Sequence, residues 1–219
     1  DRFQKPGNVY LSLVHRLDRP TSGVMILART SKAASRISKS FRERLVEKQY
    51  LAIVRGMLTG SGALQGGVTK QDARRVYLQN DDLGGEFKGN NTKFASLQFE
   101  SIRTFHCEGG EYSLVRVMPE TGRKHQIRIQ LSEYGFPIVG DIKYGGRHNT
   151  WPRNSLFPSN SSTFSRVVRS IALHASQLHI PHPVPNAFMK KATDCEGKIL
   201  VKADLPDQWN EVFGNKIHI

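Results

Sequence analysis

A chain of 219 residues with 38% hydrophobic and 23% charged residues is long and apolar enough to bury one substantial core, which excludes a chain disordered throughout. Thirty-two Lys and Arg against nineteen Asp and Glu leave a formal +13, a surplus that draws polyanions and puts nucleic acid first among partners, ahead of anionic lipid. No apolar run approaches the ~18 residues needed to cross a bilayer, no secretory signal opens the chain, and Cys107 and Cys195, far apart and in no ligand spacing, argue against a disulfide framework or a zinc ribbon.

In chain order, Gly23 precedes an apolar run, Val24-Met25-Ile26-Leu27-Ala28, which predicts a buried strand. A helix is expected over 31–47. Thr30 or Ser31 can cap it, Ala34, Ile37, Phe41 and Leu45 recur at helical spacing, and the opposite face is basic through Lys32, Arg36, Lys39, Arg42 and Arg44. Residues 50–54 read as a strand closed by Gly56. Gly, Gln and Asp dominate 58–89 without periodicity, so loops and short strands are expected there. Residues 94–101 and 112–118 read as strands, and Thr121-Gly122 is expected to open a second helix that carries Ile127, Leu131 and Tyr134 and ends near Gly135. The Ser, Asn and Pro content of 147–165 points to a surface insertion. Strands resume over 171–180 and 198–203. No repeat interrupts this order, and the expectation is a single α+β domain over 1–219, a mixed, mostly antiparallel sheet flanked by helices.

Three constellations could carry chemistry. The first is Val14-His15-Arg16-Leu17-Asp18-Arg19-Pro20-Thr21-Ser22-Gly23. A carboxylate in a polar loop between two arginines is expected to carry its charge and could act as nucleophile or base. A lone Asp of this kind also caps turns. A kinase catalytic loop is excluded, because its order is His-Arg-Asp-Leu and neither a Gly-rich phosphate loop nor Asp-Phe-Gly is present. The second, Glu47-Lys48-Gln49-Tyr50-Leu51-Ala52, puts an aromatic ring at a helix-to-strand junction, where core packing and base stacking are both open. The third is Glu120-Thr121-Gly122-Arg123-Lys124-His125-Gln126-Ile127-Arg128. Its basic residues around a helix start fit a phosphate, or equally a solvated basic face. His174, His179 and His182 suggest zinc only superficially, since no Cys or carboxylate lies at ligand spacing; no metal site is expected.

Together and in this order the segments resemble the RluA-type family of pseudouridine synthases. His15 to Gly23 matches its His-Arg-Leu-Asp-x-x-Thr-Ser-Gly signature, Lys48-Gln49-Tyr50-Leu51-Ala52 resembles Lys-Thr-Tyr-x-Ala, and Thr121 to Arg128 resembles Thr-Gly-Arg-x-His-Gln-Ile-Arg. Gly135-Phe136-Pro137-Ile138-Val139-Gly140-Asp141 with Tyr144-Gly145, Leu173-His174-Ala175 and Pro181-His182-Pro183 extend the match. The resemblance implies the pseudouridine synthase catalytic fold and isomerisation of uridine in RNA without metal or cofactor. It also implies Asp18 as the catalytic aspartate, Tyr50 as the ring that packs on the target base and assists loss of the C5 proton, and Arg128 as the partner of the aspartate. Arg16 would assist base extrusion, and Arg19, Arg123, Lys124, His125 and Gln126 would meet RNA. An ionised carboxylate can attack sugar or base, or take a ribose proton; all three routes stay open at this point. The base must first leave its stack, at a cost of a few kcal/mol that an inserted side chain and an aromatic platform offset.

Some features depart from the family pattern. Arg19-Pro20 stands where Lys-Asp or Lys-Asn is usual, and only 14 residues precede His15, so the domain is expected to lack its amino-terminal strands. No S4-type RNA-binding module is visible. The preferred substrate is ribosomal RNA, with tRNA second, and the departures favour a eukaryotic organelle, mitochondrion first, over cytosol. The competing reading is a non-catalytic RNA-binding factor on the same fold that joins ribosomal assembly intermediates. No membrane partner is expected.

Overall fold

The long apolar segments condense into one sheet. The computed structural model describes residues 10–69, 92–107, 110–152, 170–184 and 197–217. Strands β1 (Ser12–Leu13) and β3 (Leu27–Ala28) pair antiparallel as a separate two-stranded unit. The main sheet holds β2 (Ser22–Gly23), β4 (Glu47–Arg55), β5 (Ser61–Thr69), β6 (Thr92–Cys107), β7 (Gly110–Pro119), β8 (Leu173–Pro181) and β9 (Lys198–Lys202), in the order β2-β8-β4-β7-β6-β5 with β9 also on β8. Its pairs are antiparallel except β2–β8. One edge of β8 takes β2 at His174 and Ala175 and β9 from Gln177 onward, while β4 runs along the other.

The buried run Leu51 to Val54 in β4 suits a strand covered on both faces. One core cluster joins it to Leu114, Val115 and Val117 of β7 and to Trp209, Val212 and Phe213 of α4 (Asp207–Phe213). A second cluster packs Ile37 of α1 (Ser31–Arg42) with Leu178 and Ile180 of β8. Helices α2 (Gln126–Glu133) and α3 (Ile142–Gly145) lie beyond the end of β7.

Five expectations are corrected. Only Leu27 and Ala28 of the 24–28 run are strand, paired with the short β1 and not with the main sheet, and Met25 and Leu27 are exposed. Helix α1 stops at Arg42, five residues early. Glu43 caps it, Arg44 turns left-handed (φ 60°), and the backbone N–H groups of Arg44 and Leu45 donate to Phe41 O and Ser40 O. That is a Schellman ending built on arginine in place of glycine. The glycine-rich 58–89 segment contains the nine-residue β5, paired along its length with β6; 70–91 lie outside the described residues. Helix α2 begins at Gln126, and 120–125 form a loop in front of it. Within 147–165, Asn149 and Trp151 are buried, so the segment starts inside the fold; 153–165 lie outside the described residues.

Candidate active site

Asp18 lies in the loop between β1 and β2, where its carbonyl accepts from Thr21 N (2.9 Å) to close a turn. Pro20 O accepts from Ile171 N and Val24 N donates to Ala175 O, so the loop is tied to β8 and to the residues just before it. Gly23 is required between them: its φ is +119°, and a Cβ there would be driven into the Ala175 backbone. His15 is part of this scaffold. Its Nε2 accepts from Ile26 N (2.8 Å), its ring stacks on Phe41, and burial lowers its pKa, keeping it a neutral acceptor.

The nitrogen groups nearest the Asp18 carboxylate do not come from its own loop. Among the described residues, Arg128 Nη1 lies 3.5 Å from Oδ2 and His125 Nε2 3.8 Å from Oδ1, both delivered by the start of α2. Arg16 is exposed on the cleft wall and Arg19 is exposed outside it. Arg128 is aimed by a residue with no role assigned from sequence. Its Nε and Nη2 donate to Asp141 Oδ2 (2.7 Å) and Oδ1 (2.9 Å), a bidentate pair that leaves Nη1 facing Asp18. Asp141 is also the cap of α3, and its backbone carbonyl accepts from Asn149 Nδ2. Burial works against the Arg128 charge, but hydrogen bonding to Asp141 and the proximity of both carboxylates push its pKa above the ordinary arginine value.

His125 sits at φ 56° with Nδ1 2.6 Å from the Tyr144 hydroxyl. Burial lowers its pKa against the opposing pull of Asp18, with Arg128, Lys143 and Lys124 adding to the lowering. The Tyr144 phenol is pushed up to about 12, mainly by burial, and is therefore a protonated donor. A neutral imidazole that accepts at Nδ1 carries its proton on Nε2, the nitrogen facing Asp18. With the Tyr144 hydroxyl donating to Nδ1, His125 presents its N–H to the carboxylate.

Tyr50 packs against the central core at a bulge in the β4–β8 pairing. Burial first, and Asp18 second, push its phenol up to about 12, so it stays protonated near neutral pH. Lys48 donates to Thr121 O (3.1 Å), and burial together with the nearby Arg44 pulls its ammonium down to about 8. At the start of α2, behind the 120–125 loop, Gln126 is buried: it accepts from Thr121 Oγ1 and Arg123 N and donates to Ser96 O. Its amide shapes the loop. Arg123 bonds Phe94 O through Nε and Lys124 is exposed. These groups surround a cleft of about 730 Å³ that reaches from Asp18 and Tyr50 to Arg42, Arg44 and Arg123. The three histidines of the superficial zinc reading are spread apart: His174 meets Ser22 Oγ, His179 meets Glu47, and His182 meets Val184 O.

The signature loop, the tyrosine strand and the arginine helix thus converge on one carboxylate, and the sequence pattern of RNA pseudouridylate synthases matches residues 1–133. The chain belongs to that family. It is 33% identical over 203 residues to the tRNA pseudouridine synthase C of Vibrio parahaemolyticus, covering 91% of this chain and 74% of that protein. It is 33% identical over 204 residues to the ribosomal large subunit pseudouridine synthase D of Pseudomonas aeruginosa, covering 92% and 58%. The human RNA pseudouridylate synthase domain containing 1 superposes with a TM-score of 0.62 at 25% identity, over 94% of this chain and 72% of that one. The protein is accordingly a pseudouridine synthase, an isomerase acting on RNA uridine, and no helix among the described residues is long and apolar enough to cross a membrane. Asp141 and Tyr144 lie beyond the matched span, and no local spacing in the sequence pairs them with Arg128 and His125.

Proposed function

We propose that this synthase isomerises a uridine in structured RNA through the Asp18 carboxylate, with Arg128 holding that group and Tyr50 supporting the extruded base. The observation that carries the reading is the Asp18 carboxylate in the wall of a nucleotide-sized cleft, with Arg128 Nη1 at 3.5 Å. The N1–C1′ bond breaks, the uracil turns, C5 bonds to C1′, the C5 proton leaves and N1 gains one. Tyr50, protonated at neutral pH, suits a stacking platform and hydrogen-bond donor better than a standing base. In this reading Arg16 and Arg123 of the cleft wall meet phosphates of the RNA, with the exposed Lys124 and Arg19 outside it.

Ribosomal RNA remains the first target on the sequence reading, and tRNA is the second. The tRNA reading gains from the Vibrio relative, which the chain spans over more of its length than the ribosomal one. An organellar location, mitochondrion first, and contact with ribosomal assembly intermediates extend the same proposal. The test is tritium release from C5-labelled uridine in RNA of cells lacking this protein, with ribosomal precursors and tRNA assayed separately. Wild type is expected to release tritium and Asp18→Asn to release none. Release by Asp18→Asn would remove the assigned mechanism, and tight binding without release by either would favour the assembly-factor reading.

A further inference from the structure

Strands β4 and β7 separate beyond the Tyr50–Val117 pair: Met118 and Pro119 continue with β6, while Glu47 to Gln49 continue with β8 alone. A second cleft of about 560 Å³ opens at this parting, next to the one that holds Asp18. Arg44 and Lys48 line both clefts. Two cations meeting at one boundary repel each other, and among the described residues neither forms a close ion pair; Glu120, which also lines both clefts, lies near enough to Arg44 for the arginine to lower its pKa. Glu47 is engaged by Lys198 Nζ (2.8 Å) and His179 (3.3 Å), and Glu120 by Ser96 Oγ (2.7 Å) and Gln98 Nε2 (2.9 Å). Arg44 also holds a left-handed backbone (φ 60°), a conformation that costs a non-glycine residue roughly 1–2 kcal/mol. Strain of this kind at a cleft wall is the observation from which a functional role is inferred.

The second cleft itself has the makings of a base site. Met118 and Leu200 give it apolar surface, and Gln49 and Gln177 are register partners across β4 and β8. Gln49 Nε2 has a long bond to Ser176 Oγ (3.4 Å), while the Gln177 amide has no side-chain partner among the described residues. A glutamine offers a donor and an acceptor side by side, the pattern that a base edge answers. The volume lies in the ~300–1,000 Å³ range of small-ligand pockets.

We propose that the second cleft is a subsite for the nucleotide adjoining the target uridine, with the linking phosphate between Lys48 and Arg44 and the base edge on Gln177. The proposal rests on the synthase reading of the first cleft and adds a source of sequence preference to it. Its consequence is that the substrate enters with two neighbouring bases unstacked.

The test is independent of turnover. Amide chemical shifts of the full chain are followed on titration with uridine 5′-monophosphate and with dinucleoside monophosphates UpN and NpU carrying each of the four bases. The mononucleotide is expected to move amides of the Asp18 loop and of 121–126 only. At least one dinucleotide is expected to move Gln49, Gln177 and His179 as well and to bind about tenfold more tightly. Gln177→Ala should erase the preference among the four bases, and Lys48→Met should erase the gain over the mononucleotide. Dinucleotides that shift nothing beyond the mononucleotide's set, or gains that survive both substitutions, would overturn the subsite. A mononucleotide that moves the second-cleft amides by itself would overturn the two-nucleotide arrangement. Loss of the synthase reading is registered separately, by tritium release that persists in Asp18→Asn.

Discussion

Arg128 is 6% exposed and carries three links, two to Asp141 and one longer approach to Asp18. The shorter pair is the structural one. A guanidinium has five donors in a fixed fork, so engaging the Nε–Nη2 edge with Asp141 fixes where Nη1 points. Asp141→Asn should therefore act twice. Leaving a buried guanidinium without its partner is expected to cost about 3 kcal/mol, visible in the urea midpoint. Displacing Nη1 from Asp18 is expected to lower kcat about 100-fold at a temperature where the variant is fully folded, since an ångström of misplacement is worth that much. A variant that loses stability and keeps kcat would reduce Asp141 to a folding residue. Nothing local in the sequence signals this pair. Asp18, Tyr50 and Arg128 were legible because each sits in a motif of its own, whereas Asp141 gains its role only when α3 folds back on α2.

At the level of elements, the sequence was most legible where periodicity and burial agree. Strands β4 and β7 contain the expected segments and extend them by one to three residues at each end, while β8 starts two residues later than expected and ends one residue later. It was least legible where a backbone conformation is set by something other than residue preference. The periodicity of Ala34, Ile37, Phe41 and Leu45 runs past the true end of α1. No glycine marks the stop, because Arg44 occupies the left-handed position that glycine usually takes, and Leu45 is consequently thrown out to 49% exposure. The glycines of 58–69 read as loops and short strands, but β5 runs nine residues through them because β6 supplies a complete ladder. The α1 ending gives a prediction with opposite signs for stability and binding. Arg44→Gly relieves the strained φ and should raise stability by about 1 kcal/mol in urea denaturation. The same change removes a cation from the wall of both clefts and should weaken RNA binding several-fold, with a shallower salt dependence by roughly 0.7–0.9 in log–log slope if one phosphate contact is lost. A variant that is less stable, or that binds RNA unchanged, would contradict the account of why arginine is kept there.

For the whole molecule the same charge that gathers RNA makes acid the vulnerable direction. The chain carries a formal +13 with its eight histidines neutral, so protonating them adds repulsion to an already positive particle. Three of those histidines are held neutral by the fold. Burial lowers the pKa of His15, of His174 against the opposing pull of Ala203 O and Asp204, and of His125 against Asp18. A group whose folded pKa lies below its unfolded value of 6.5 leaves the unfolded chain binding more protons in the interval between the two. Stability is then complete above about 6.5 and declines as the pH falls, by at most ~1.4 kcal/mol per pH unit for each proton involved. For His15 the loss has a visible cause, because an imidazolium cannot accept the Ile26 N–H that fixes the signature loop. Urea midpoints measured from pH 7.5 to 5.0 should fall steadily. Repeating the series in 0.5 M NaCl should recover the part due to net repulsion and leave the part due to burial, since salt screens exposed charges far more than enclosed ones. A midpoint flat across that range would show that the three rings take up protons without leaving their places. A decline abolished by salt would assign acid sensitivity to the surface charge alone.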